Sequence, residues 1–209
     1  MRRIIMMTAV GLVLISTAAS AESIAGRFGI TGKAGVLAPL RNHFISSDTI
    51  SSTSEGKESF AGGGGFIYGI GDHTALEIEA LRVPNMDVEL AGSKVYEASL
   101  TDLSVGLQYR FAPDSRLVPL IGAGADFIKG ELSSTTGASY SMDWTVGGHV
   151  NAGADWFITR GIAFSIDLRG IYTTRGTIKA GDTKVGRYDP LSIVGTLGFR
   201  LFLPESAYR

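Results

Sequence analysis

From residue 26 onward apolar side chains fall on every second position, in stretches of about 10 to 14 residues divided by polar segments. The clearest stretch is 144–156. One face reads Trp144, Val146, Gly148, Val150, Ala152, Ala154 and Trp156, and the other reads Thr145, Gly147, His149, Asn151, Gly153 and Asp155. A strand points successive side chains to opposite faces, so this pattern predicts a strand that is apolar on one side and polar on the other. Two further stretches repeat it. Leu103, Val105, Leu107 and Tyr109 oppose Asp102, Ser104, Gly106, Gln108 and Arg110, while Ile162, Phe164, Ile166, Leu168 and Tyr172 oppose Ala163, Ser165, Asp167 and Arg169.

The rhythm predicts eight strands, at 26–38, 58–70, 74–84, 96–111, 117–129, 144–158, 162–174 and 190–202. Connections at one end are tight: Gly71-Asp72-His73, 112–116 around Pro113, and Thr159-Arg160-Gly161. Those at the other end are long and rich in Ser, Thr, Gly and charge: 46–54, 85–95, 130–143 and 175–188. Short turns at one end and long loops at the other are the asymmetry of bacterial outer-membrane barrels. The spacing of Trp144 and Trp156 points the same way, because twelve residues at about 3.3 Å, tilted about 40°, rise roughly 30 Å. That height matches an apolar band with an aromatic residue at each rim, which a soluble sandwich has no reason to keep. The expected fold is all-β, an eight-stranded antiparallel up-and-down transmembrane β-barrel, with Trp144, Trp156, Tyr109 and Tyr172 in the membrane girdle.

Composition narrows the function. A length of 209 residues suits one domain, and 19 Lys plus Arg against 20 Asp plus Glu leave no basic excess to draw nucleic acid. The 28 glycines disfavour long helices, and no cysteine is present to form disulfides, ligate zinc or act as a nucleophile. Residues 1–21 read as a cleavable signal peptide: Arg2 and Arg3, an apolar run from Ile4 to Ala18, then Ala19-Ser20-Ala21. Cleavage there leaves 22–209 as the barrel domain. Past that segment no apolar run is long enough for a membrane-spanning helix.

From Leu117 to Leu201 the chain resembles the OmpW family of small outer-membrane proteins. The matching pieces are the run from Pro119 to Gly124, Asp143-Trp144 with the run from Ala152 to Trp156, and Asp189-Pro190 with the run from Gly198 to Leu201. The first half matches more loosely, through Ala34-Gly35 to Pro39 and the glycines 62–65. The resemblance implies an eight-stranded barrel whose narrow apolar interior serves small hydrophobic molecules. Family members end on the aromatic residue of the last strand, whereas here Leu201 is followed by 202–209.

On the predicted phase the interior carries Arg27, Lys33, Arg110, Arg169 and Arg200 against Glu77, Glu79, Asp102, Asp126, Asp155 and Asp167. Side chains can fill so narrow a bore, and charges buried there persist only if paired. The expectation is a polar plug, drawn chiefly from Arg27, Glu77, Arg110, Asp155, Asp167, Arg169 and Arg200, rather than an open pore. The periplasmic ends therefore read as polar, with Val118, Leu120 and Phe157 as exceptions. Toward the extracellular ends the inward residues are Leu81, Val83, Ile128 and Ile171, an apolar vestibule or ordinary packing under the loops.

Gly62 to Gly65 and Gly122-Ala123-Gly124 lack the following helix that a phosphate cradle needs, and read as strand glycines that relieve crowding. His43, His73 and His149 have no metal-ligand spacing, so no metal and no cofactor are expected. Three functions fit: a narrow channel or vestibule for small hydrophobic molecules with lateral release, a structural or surface-contact barrel acting through its loops, and a lipid-modifying enzyme using His149. The first is preferred, and no enzymatic activity is expected. The partners expected are outer-membrane lipid, small hydrophobic solutes and, during biogenesis, the barrel-insertion machinery.

Overall fold

The computed structural model describes residues 23–41, 54–90, 93–134, 139–174, 176–180, 183–188 and 191–203. The predicted signal peptide, His43, nearly all of the predicted loop 46–54 and the tail from 204 lie outside them. The strands are β1 (Phe28–Arg41), β2 (Ser54–Gly56), β3 (Ser59–Gly69), β4 (Thr74–Leu90), β5 (Ser93–Arg110), β6 (Leu117–Ser134), β7 (Ser139–Thr159), β8 (Ile162–Thr173), β9 (Gly176–Ala180), β10 (Thr183–Tyr188) and β11 (Leu191–Phe202). Each of β3 to β7 pairs antiparallel with the next strand, β8 pairs with β11, and β11 returns through β1 to β3. The ring is a closed eight-stranded barrel, with β2 added to β4 and the β9–β10 hairpin added to β7.

The barrel is inside out relative to a soluble protein. Its outer face shows half-exposed Ile30, Phe60, Phe66, Ile78, Leu107, Ile121, Val150, Leu168 and Phe199, whereas Glu77, Asp126, Asp155 and Arg200 are buried within. So broad an apolar belt is covered only by lipid. Trp144 and Trp156 are 53% and 52% exposed on this face, with Tyr109 and Tyr172 beside them. Near the periplasmic rim Arg116 lies over the Trp156 ring at 5.7 Å, and Tyr109 packs edge-on against Phe111 at 4.9 Å.

Three of the predicted loops are strand instead. β4 continues to Leu90 and β5 begins at Ser93, β6 and β7 run to Ser134 and from Ser139, and β9 and β10 occupy most of 175–188. The polar residues that suggested loops alternate with inward Met86, Val88, Ala98, Leu132 and Met142, which pack into one apolar cluster above the membrane. Register shifts at Pro39/Arg41, Val83/Met86 and Ile128/Gly130 mark where membrane barrel gives way to extension. Bulges of this kind bend a strand and re-aim its side chains. The last barrel strand ends at Phe202, an aromatic residue, turned inward and stacked on Phe157 at 5.7 Å.

Candidate functional site

The bore is layered. At the periplasmic end Ile24, Ile67, Ala75, Val118, Phe157, Ala163 and Phe202 form a buried apolar plate. This corrects the expectation that the bottom is polar. The plate draws single residues from seven places in the chain, so Val118 and Phe157 belong to a layer and are not exceptions.

Above the plate lies the ionic layer. Arg200 donates to Glu77 Oε1 at 2.8 Å, to Asp155 Oδ2 at 3.1 Å and to Gln108 Oε1 at 3.2 Å. Arg110 shares Asp155 Oδ2 at 2.8 Å, and the Gln108 amide donates to the other oxygen of Glu77. One step higher, Glu79 takes both Lys33 and Arg169, and Arg169 also donates to Ser104 at 3.1 Å. Asn151 donates to Asp167 at 2.6 Å, and His149 Nδ1 meets Asp126 Oδ1 at 2.8 Å. Glycines make the room: a Cβ at Gly124 would stand 2.6 Å from His149 Cε1 and the same distance from the Gly106 backbone. Charges buried this deeply are tolerable only when each finds opposite charge and hydrogen bonds, which this lattice supplies.

The structure brings Glu77, Arg110, Asp155, Arg169 and Arg200 together, with Asp167 beside them through Asn151. Arg27 stands apart. It precedes β1, lies over the Phe202 ring at 5.6 Å and donates to the carbonyl oxygens of Arg160 and Phe202, so it clamps the rim and is not part of the ion lattice. Two uncharged residues join the layer: the Gln108 amide relays between Arg200 and Glu77, and the Asn151 amide donates to Asp167.

The third layer is apolar again. Leu81, Val83, Ile128 and Ile171 all point inward and line one cavity with Leu37, Leu100, Asp102, Thr173 and Ser192. The enclosed space of about 30 Å³ suits about two water molecules. Met86, Val88, Ala98, Leu132 and Met142 continue the same apolar cluster above it. Access is therefore a matter of side-chain movement, for which unbranched methionines are well suited. A second, polar space lies lower, among Ser104, His149, Asn151 and Arg169. His73 is far from both: it sits on a turn, stacked on Tyr109, with Nδ1 2.9 Å from the Arg110 carbonyl oxygen. Among the described residues no cluster of His, Cys, Asp and Glu is arranged to hold a metal ion.

Known structures share this architecture. The outer membrane protein OprG from Pseudomonas aeruginosa is 18% identical, with a TM-score of 0.67 over 88% of this chain and 99% of that one. Outer membrane protein AlkL, solved in DMPC bilayers, is 15% identical, with a TM-score of 0.62 over 92% and 97%. Neisserial surface protein A is 16% identical, with a TM-score of 0.57 over 85% and 97%. No curated protein matches in sequence. The model of the outer membrane protein beta-barrel domain matches residues 7–191. The chain thus belongs to the outer membrane protein beta-barrel family, within which its likeness to OmpW falls, and it is a protein of the bacterial outer membrane.

Proposed function

We propose that the barrel admits small hydrophobic molecules into the apolar cavity of its extracellular half and releases them sideways into the membrane. The observation that carries this reading is the abrupt change of lining along the bore. Leu81, Val83, Leu100, Ile128 and Ile171 surround the cavity, and directly beneath it the ion lattice closes the way down. An apolar solute that enters gains about 25 cal/mol per Å², so roughly 200 Å² yields about 5 kcal/mol before association costs. That is weak, exchangeable binding, as a conduit needs. Passing farther down would displace satisfied polar groups, so the wall is the cheaper exit.

The exit we assign is the seam between β1 and β11. Leu37 and Ser192, from its two sides, both line the cavity. Pro39, opposite Ser192, has no N–H to give the ladder, and the register shifts immediately above it. Solutes within the bore, lipid at the seam and the insertion machinery that delivers the barrel are then its partners.

The test is uptake of an apolar solute by proteoliposomes carrying Ile128→Asp or Ile171→Asp variants that still fold. Uptake should fall at least tenfold. A cysteine pair at Ala38 and Ile193, facing each other across the seam, should block uptake when oxidised and restore it when reduced, and the chain has no other cysteine. Parental uptake by both aspartate variants would favour the second reading, a surface-contact barrel, which the strands projecting beyond Trp144 support. The enzymatic reading rests on His149, whose Asp126 partner and neighbouring Ser104 lie deep in the bore. We expect no lipid hydrolysis or acyl transfer by the parent. Lipid turnover abolished by His149→Ala would reverse that.

A further inference from the structure

The lining of the vestibule is not wholly apolar. Asp102 lines it from β5, Thr173 from β8 and Ser192 from β11. Asp102 is 7% exposed, and neither of its carboxylate oxygens has a hydrogen-bond partner among the described residues. The Thr173 hydroxyl is likewise unpartnered. This sets Asp102 apart from the other carboxylates in the bore. Glu77 and Asp155 hold Arg200, Glu79 holds Lys33 and Arg169, Asp126 holds His149, and Asp167 accepts from Asn151. Arg169 and Lys33 also face Asp102 electrostatically, as do Asp126 and Glu79, but both cations are engaged with Glu79.

A buried carboxylate is costly unless an opposite charge and hydrogen-bond donors meet it. Here the residue lines the cavity, with both carboxylate oxygens out of reach of bulk water. The rest of the lining is mostly leucine, valine and isoleucine, which suits an alkyl chain in the room that side-chain movement opens, and the existing space suits a head of about two heavy atoms. A terminal methylene with its ammonium nitrogen is that size, and it supplies three donors and a positive charge. A trimethylammonium head is too bulky and has no donor.

Building on the vestibule reading, we propose that this cavity selects small primary alkylamines in their ammonium form, with the head on Asp102 and the chain against Leu81, Ile128 and Ile171. The apolar walls set which molecules enter, and Asp102 sets which of them stay.

The experiment titrates n-hexylamine, n-hexanol and hexyltrimethylammonium into the full barrel in lipid nanodiscs, following labelled methyl groups of Ile128 and Ile171. Hexylamine should bind at least tenfold more tightly than hexanol, and hexyltrimethylammonium no better than hexanol. Asp102→Asn should bring hexylamine to within twofold of hexanol and leave hexanol unchanged. The variant removes an unpartnered charge at constant shape, so it should unfold no earlier than the parent. The parent series is a test by itself if the variant does not fold. Equal binding of all three probes, or a preference that survives Asp102→Asn, overturns the proposal while leaving the vestibule in place. If none of the probes moves either methyl group, the vestibule reading itself fails and this inference falls with it.

Discussion

Replacing Arg200 by methionine keeps much of the side-chain volume and removes the charge that ties the ion lattice together. The consequences for its two carboxylates differ. Asp155 keeps Arg110 at 2.8 Å, but among the described residues Glu77 is left with the Gln108 amide as its hydrogen-bond donor and with Lys33 and Arg169 only at longer range. One carboxylate stranded in a desolvated site costs about 3–5 kcal/mol. Arg169→Met should cost less, about 1.5–3 kcal/mol, because Glu79 retains Lys33 and the loss is nearer to that of hydrogen bonds to a charged group. Adding Glu77→Gln to Arg200→Met removes the stranded charge and should recover about 1–3 kcal/mol, the coupling expected of residues in one network. Reversible urea unfolding in detergent micelles, followed by Trp144 and Trp156 fluorescence, measures all three. A cost below about 1 kcal/mol for Arg200→Met would mean that water reaches the bore and screens the pairs, as at exposed sites. Equal costs for the two arginines would refute the assignment of partners.

Single-tryptophan variants should report Trp144 and Trp156 at opposite bilayer interfaces in quenching by depth-resolved spin-labelled lipids, and either signal at the bilayer centre would refute the strand phase. Gly124→Ala forces a methyl group against the His149 ring and the Gly106 backbone, and should destabilise the barrel by about 1–3 kcal/mol in the same urea assay. The vestibule variants Ile128→Asp and Ile171→Asp should lose apolar-solute uptake while the outward Val146→Thr does not, which separates a lumen effect from a general loss of membrane packing.

The strands and their phase were legible because a barrel strand obeys one rule over its whole length. Trp144, Val150 and Trp156 face lipid, and Leu81, Val83, Ile128 and Ile171 face the lumen, as period two requires. The strand extensions were harder to read, since bulges at Val83/Met86 and Ile128/Gly130 break the phase where polar residues crowd the outer face. Pairing within the lattice was not legible at all. Glu77 and Arg200 meet across 123 positions, and only the closed ring determines that they do. The same holds for the apolar plate, whose members come from six strands and the segment ahead of β1 with no local motif. Arg27 misled because its type suggested an ion pair, while its place ahead of β1 puts it among the rim carbonyls.

The ion lattice and the plate beneath it have a consequence for the cell that carries this barrel. An outer membrane is a permeability barrier, and every open pore lets polar solutes leak across it. A ring whose centre is filled by interlocked Arg200, Glu77, Asp155 and Arg110, with Phe157 and Phe202 packed below, leaves no open polar path among the described residues. Its electrical conductance should be near that of bare lipid, so its abundance can rise without cost to the envelope's defence.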